Sequence, residues 1–149
     1  MNIDDTTYIE ASPATVWEVL KDPSLMPLWN SKIVACDILS DGEPRQGYRF
    51  KVHFKWREKE QLSDAEFIEF DTCNTLTIRY EKGMLAPKGY VDESFILEPD
   101  EGGTVLTQRV NIRHSGLPWW AKLLMKWIST GGYNVDKSMT EHIKELCES

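Results

Sequence analysis

The chain has 149 residues, enough for one domain over 1–149 that buries roughly 70% of its unfolded surface without disulfides or metals. Its 24 acidic residues against 17 Lys and Arg give a net charge of −7, which argues against nucleic acid as a partner and against adsorption to anionic membranes. Cys36, Cys73 and Cys147 form neither a disulfide framework nor a zinc pattern; with a polar, acidic start and no apolar run near the ~20 residues of a membrane span, they predict reduced thiols in a cytoplasmic protein.

Thr6 to Glu10 reads as a first strand. Ser12 then offers a capping hydroxyl, and Pro13 stands at the first helical position, where its missing N–H costs nothing. Val16, Trp17, Val19 and Leu20 give a short helix its apolar face, and Asp22-Pro23 stops it. Leu25 to Trp29 predicts a second short helical turn. Strands follow at Ile33 to Leu39, Gly47 to Trp56, Gln61 to Phe70, Leu76 to Glu81, Gly89 to Glu98 and Thr104 to Arg113. Their short links carry turn residues and require antiparallel pairing.

The period then changes. Trp119, Trp120, Leu123, Leu124, Trp127 and Ile128 recur at helical spacing, and the stripe runs on through Gly131, Val135, Met139, Ile143 and Leu146. The expectation is one C-terminal helix of about 30 residues, ~45 Å long, with Gly131-Gly132 as a place to kink.

The strand from Gly47 alternates without a fault: Tyr48, Phe50, Val52, Phe54 and Trp56 against Arg49, Lys51, His53 and Lys55. A two-residue turn at Glu58-Lys59 would set Arg57 opposite Glu60, His53 opposite Asp64 and Lys51 opposite Glu66. It would also set Phe54 beside Ser63, Val52 beside Ala65 and Phe50 beside Phe67, and a slip by one would put charges against rings. The inner face of the fourth strand is thus small and polar where its neighbour is bulky, which leaves space. Later in the chain Glu93 shares a face with Val91, Phe95 and Leu97, and Gln108 with Leu106, Val110 and Ile112. Pairing across the Pro99 to Gly103 turn brings Glu93 near Gln108. Two places stay open for Glu93, inside the cavity or at a solvated rim. A concave apolar surface with a few convergent polar groups is the form that ligand pockets take. The expected lining is Phe50, Val52, Phe54, Ser63, Ala65, Phe67, Ile78, Tyr80, Glu93, Phe95 and Gln108 from the sheet, and Trp127, Gly131, Val135 and Met139 from the helix.

The element order and the segment Ile9-Glu10-Ala11-Ser12-Pro13-Ala14-Thr15-Val16-Trp17, with Asp22-Pro23, Trp29, Gly47, Glu69-Phe70-Asp71, Gly103-Thr104 and the Leu146 to Glu148 ending, resemble the START-like (SRPBCC) superfamily. That superfamily includes polyketide cyclase and dehydrase-type proteins, coenzyme Q-binding chaperones and birch-pollen-allergen-type carriers. The resemblance implies an α+β helix-grip fold: a seven-stranded antiparallel sheet curved around a long C-terminal helix, with two short helices between the first two strands. It also implies an interior cavity for lipids, quinones, polyketides or similar apolar molecules. The three tryptophans of Leu117 to Ile128 depart from the usual C-terminal helix.

No nucleophile motif, phosphate loop or metal signature is present, so no cofactor and no metal are expected. His53 falls on the charged outer face and is expected to be simply solvated, His114 falls at a strand end as a turn residue and His142 beside the helical stripe. Three function classes follow. A carrier of a small apolar ligand fits the lining best. A cyclase or dehydratase would use Glu93 as acid or base, because burial in an apolar cavity raises a carboxyl pKa. A protein-interaction domain of the chaperone-activator kind would use a surface such as Leu117-Pro118-Trp119-Trp120-Ala121-Lys122-Leu123-Leu124, whose plainer reading is core packing and not a membrane-facing lip. The ligand, turnover and oligomeric state are not written in the sequence.

Overall fold

In the computed structural model the described residues are 2–56, 58–82, 89–116, 118 and 138–149. They form the α+β helix-grip arrangement. Strand β1 (Asn2–Ile9) leads to helix α1 (Pro13–Leu20), a 3-10 turn (Pro23–Leu25) and helix α2 (Met26–Trp29). Strands β2 (Ile33–Ile38), β3 (Arg49–Trp56), β4 (Lys59–Asp71), β5 (Thr75–Glu81), β6 (Tyr90–Asp100) and β7 (Gly103–Asn111) follow, and helix α3 (Met139–Glu148) comes last. The seven strands make one antiparallel sheet in the order β1-β7-β6-β5-β4-β3-β2.

Local chemistry explains the elements. Ser12 is extended and its hydroxyl accepts from the Thr15 N–H at 3.3 Å, capping α1, with Pro13 at the first helical position. Asp22 does the same for the 3-10 turn, accepting from Ser24 N–H at 3.0 Å. Val16, Trp17, Leu20, Met26 and Trp29 from these helices are buried in the same core as the inner face of the sheet. Trp17 meets Phe70 edge-on at 4.9 Å. Phe70 reaches this face because a bulge between Phe67 and Glu69 adds one residue to β4 and flips the alternation beyond it. The β6–β7 hairpin closes through Glu101 and Gly102, both at positive φ, as a two-residue turn matched to the sheet twist requires. Gly103 follows where the backbone of β1 passes closest: a Cβ there would lie 2.5 Å from the Ile9 carbonyl oxygen.

Helix α3 packs on β1, β7, α1 and α2. Its fully buried Thr140 hydroxyl donates to Asp5 at 2.6 Å and lies 2.8 Å from the Thr7 hydroxyl. Lys144 donates to the Tyr8 carbonyl at 3.1 Å, and Glu148 accepts from the Glu10 N–H at 2.7 Å.

Three expectations need correction. The β3–β4 parity is as read, with Phe50, Val52 and Phe54 on the inner side, but the register is displaced by two residues. Phe54 faces Gln61, Val52 faces Ser63, Phe50 faces Ala65 and His53 faces Leu62. Lys55, Lys51 and Arg49 take Glu60, Asp64 and Glu66 as partners. The turn lies between Trp56 and Lys59, one position earlier than Glu58-Lys59. Secondly, the C-terminal stripe is not one uninterrupted helix. Ser138 is extended, and its hydroxyl accepts from Glu141 N–H at 3.3 Å, so a new helix starts at Met139. The earlier part of the stripe lies outside the described residues. Thirdly, His53 is not simply solvated. Its Nε2 is 2.7 Å from Asp37 and its Nδ1 3.7 Å from Glu60, which raises its pKa.

Candidate functional site

Along β5, β6 and β7 the inward positions are apolar apart from Thr104, whose hydroxyl donates to the Ala11 carbonyl at 2.8 Å, and three residues that meet: Tyr80, Glu93 and Gln108. The Cα register sets Glu93 beside Ile78 and Val110, with Tyr80 and Gln108 on its diagonals. Both reach it. The Tyr80 hydroxyl donates to Glu93 Oε1 at 3.0 Å, and Gln108 Nε2 donates to Glu93 Oε2 at 2.8 Å. Glu93 is only 5% exposed, Gln108 3% and Tyr80 7%, so all three are buried and Glu93 does not lie at a solvated rim. Gln108 Nε2 also lies 3.3 Å from Met139 Sδ, which ties the trio to the first turn of α3.

The electrostatics are a contest. Burial raises the Glu93 pKa; the hydrogen bonds from Gln108 and Tyr80 and the charge of Lys32 pull it back, and burial wins. Lys32, half-buried in the turn before β2, has its own pKa lowered by desolvation against the pull of Glu93. The Tyr80 phenol is pushed well up by burial and by the neighbouring carboxyl. Burial and the neighbouring Asp37 raise the half-buried Cys36 thiol to about 12, which disfavours its thiolate. The trio therefore offers a carboxyl that holds its proton at higher pH than usual and two donors that orient it, and Lys32 adds a cation that acts on it through space.

The family described as polyketide cyclase/dehydrase and lipid transport matches residues 1–138. The chain belongs to this family. The fold comparison agrees: Ara h 8.0201 superposes with a TM-score of 0.72 at 18% identity, covering 99% of this chain and 97% of that one. A ginseng (Panax ginseng) major latex-like protein 151 gives 0.72 at 12% identity, over 100% and 98% of the two chains. A START superfamily protein from Mycobacterium smegmatis gives 0.70 at 13% identity, over 99% and 97%. Sequence comparison with curated proteins gave no match.

For this member of the polyketide cyclase/dehydrase and lipid transport family, the expected lining divides as follows. Phe50, Val52, Phe67, Ile78 and Phe95 are fully buried, Ala65 is buried, and Phe54 and Met139 pack half-buried against the same core. Phe54 meets the Tyr80 ring edge-on at 5.7 Å. Ser63 points inward, yet its hydroxyl donates to the Glu81 carbonyl at 2.7 Å and is spent on the sheet. Trp127, Gly131 and Val135 lie outside the described residues. Among the described residues no group of His, Cys, Asp and Glu is arranged to hold a metal, and no helix is long and apolar enough to cross a membrane. An open groove of 110 Å³ lined by Arg49, Asp64, Ala65, Glu66, Ile68, Arg79 and Glu81 lies away from the trio and is crossed by ion pairs.

Two residues were not anticipated. Lys32 sits between the buried anchors Trp29 and Ile33, and a Lys in so short a link has little room to leave the interior. Trp29 itself is fully buried on α2, edge-on to Phe95 at 5.3 Å, and its Nε1–H has no acceptor among the described residues.

Proposed function

We propose that this protein binds a small, mostly apolar ligand against the inner face of the sheet, beneath the C-terminal segment. The observation that carries the reading is the buried Glu93 with Tyr80 and Gln108, a polar trio set on a surface otherwise made of Phe50, Val52, Phe54, Phe67, Ile78 and Phe95. A folding core gains nothing from a buried carboxyl, whose desolvation costs several kcal/mol before its partners offset it. A binding surface gains orientation and selectivity from one. The family's association with lipid transport supports the same reading. A ligand bound only by the folded chain adds RT ln(1 + [L]/Kd), about 2.7 kcal/mol at a hundredfold excess over Kd. A thermal-shift screen of fatty acids, quinones, flavonoids and polyketides is expected to return a stabilising compound, and a screen without one would remove the reading.

A second reading is favoured by the raised Glu93 pKa: cyclase or dehydratase chemistry with Glu93 as general acid or base. The Glu93→Gln variant separates the two. A carrier of neutral ligands keeps its affinity in the variant. An enzyme keeps affinity and loses about 10²–10⁴-fold in rate.

A further inference from the structure

We infer that the ligand of this site bears a hydrogen-bond-accepting oxygen, a carbonyl or hydroxyl on an apolar body, and that the Trp29 indole N–H donates to it. This rests on the binding reading above and deepens it by giving the ligand's oxygen a named donor. Buried donors are satisfied in the great majority of native structures, and one that is not calls for an explanation. Trp29 Nε1 is such a donor: the side chain is fully buried and nothing among the described residues accepts from it. Its position connects it with the trio. Trp29 touches Phe95, and Phe95 stands directly opposite Gln108 and two residues along the same face from Glu93. The Trp29 ring packs on Phe95, and Phe95 is the strand neighbour of Glu93 and Gln108.

The trio itself is already committed. Both Glu93 oxygens accept a hydrogen bond, and the amide of Gln108 is shared between Glu93 and Met139. Among the described residues, the Trp29 N–H is a buried side-chain donor left without an acceptor. A tryptophan serving packing alone could be replaced by phenylalanine without leaving a polar atom behind. An indole kept dry and unpaired is suited to an acceptor that arrives with the ligand. A pure hydrocarbon leaves that donor unmet, whereas an oxygenated molecule of the same shape satisfies it.

The test uses two probes of nearly equal shape, 2-acetylnaphthalene and 2-ethylnaphthalene, on the whole protein. Calorimetric titration is expected to show the ketone binding about threefold to tenfold more tightly, the worth of one net hydrogen bond. In Trp29→Phe both probes should bind with the preference gone. In the wild-type ¹H–¹⁵N spectrum, the indole signal missing from Trp29→Phe should move downfield with the ketone and not with the hydrocarbon. That spectrum decides the matter even where the variant folds poorly, since site assignment then comes from the wild-type backbone. Equal affinities with an unmoved indole signal overturn the inference and leave apolar binding intact. An indole proton already shielded in the free protein, and unmoved by the ketone, would show that the Phe95 ring takes the N–H, which also overturns it. Binding of neither probe would count against the binding reading itself.

Discussion

Glu93→Gln offers a sharp test of the site's electrostatics. Burial opposes ionisation of this carboxyl, while Tyr80, Gln108 and Lys32 favour it, and the outcome is a pKa raised above the ordinary 4.5. A carboxyl whose pKa is raised by folding holds its proton in the native state over a range where the unfolded chain has lost it. The contribution of this carboxyl to wild-type stability must then fall as pH climbs from about 4.5 to the folded value, at up to 1.4 kcal/mol per pH unit for one proton. Gln has the same size and no ionisation. Its oxygen keeps the Tyr80 donor, but its NH₂ now faces Gln108, whose amide must turn over and give up its contact with Met139 Sδ. That adds a pH-independent penalty of about 1 kcal/mol. The variant is therefore expected to be less stable than wild type at pH 4 and to gain on it steadily above pH 4.5. Urea unfolding of both proteins at intervals from pH 4 to 8, read as midpoints at constant slope, measures the difference while other titrations cancel. A difference that is flat over this range, or that moves against the variant as pH rises, would refute the claim that burial outweighs the two donors and the lysine.

Three further outcomes are expected. Gly103→Ala drives a Cβ to 2.5 Å from the Ile9 carbonyl and 2.4 Å from the Tyr8 hydroxyl, so it should cost about 1–3 kcal/mol in urea unfolding; an unchanged midpoint would show that β1 yields freely. Thr140→Val removes the buried hydroxyl that donates to Asp5, and should speed hydrogen exchange across Met139–Glu148 and lower stability by about 1–3 kcal/mol; unchanged exchange there would deny that this hydroxyl holds α3 in place. His53, whose pKa is raised by Asp37 and Glu60, lends stability that is fully present below about pH 6.5 and lost as pH rises through its folded value, so His53→Gln should fall behind wild type only at low pH. A gap of the same size at pH 5 and pH 9 would mean that the ion pairs contribute nothing.

Much of the fold could be read from the residues because independent signals agree there. The Ser12 cap, Pro13 and the apolar spacing of Val16, Trp17 and Leu20 all specify α1. The alternation Phe50, Val52, Phe54 fixed the inner face, yet it could not fix the β3–β4 register. Basic residues recur at every second position of β3, and Glu60, Asp64 and Glu66 occupy one face of β4, so a displacement by two exchanges one set of opposite charges for another. Only the turn decides. The start of α3 was legible in Ser138-x-x-Glu141, a capping pattern, but the apolar stripe running across it suggested continuity. In the site, Glu93 with Gln108 followed from one short hairpin. The bond from Tyr80 depends on the β5–β6 register, and Lys32 acts from the far end of the sheet order, so neither contact is local in sequence. The unpartnered Trp29 N–H could not be read at all, because an indole without a partner has no signature in a string of residues.

The sheet order has a consequence for how the chain comes together during synthesis. From β2 to β7 each strand lies beside its neighbour in sequence, so this part can assemble hairpin by hairpin as it leaves the ribosome. β1 is the exception. Asn2 stands opposite Asn111, and further contacts reach β1 from Thr140 and Lys144, with Glu148 bonding Glu10 just beyond it. Of the seven strands, the earliest in the chain is thus among the last to pair, and it waits without its sheet partner while the strands up to β7 are added. Joining it requires closing a long loop, which lengthens the search without adding much to the free-energy cost, since that cost grows only with the logarithm of loop length. The acidic Asp4 and Asp5 give that waiting strand a charge that discourages pairing with another nascent copy, and they end the wait in bonds to Arg109 and Thr140.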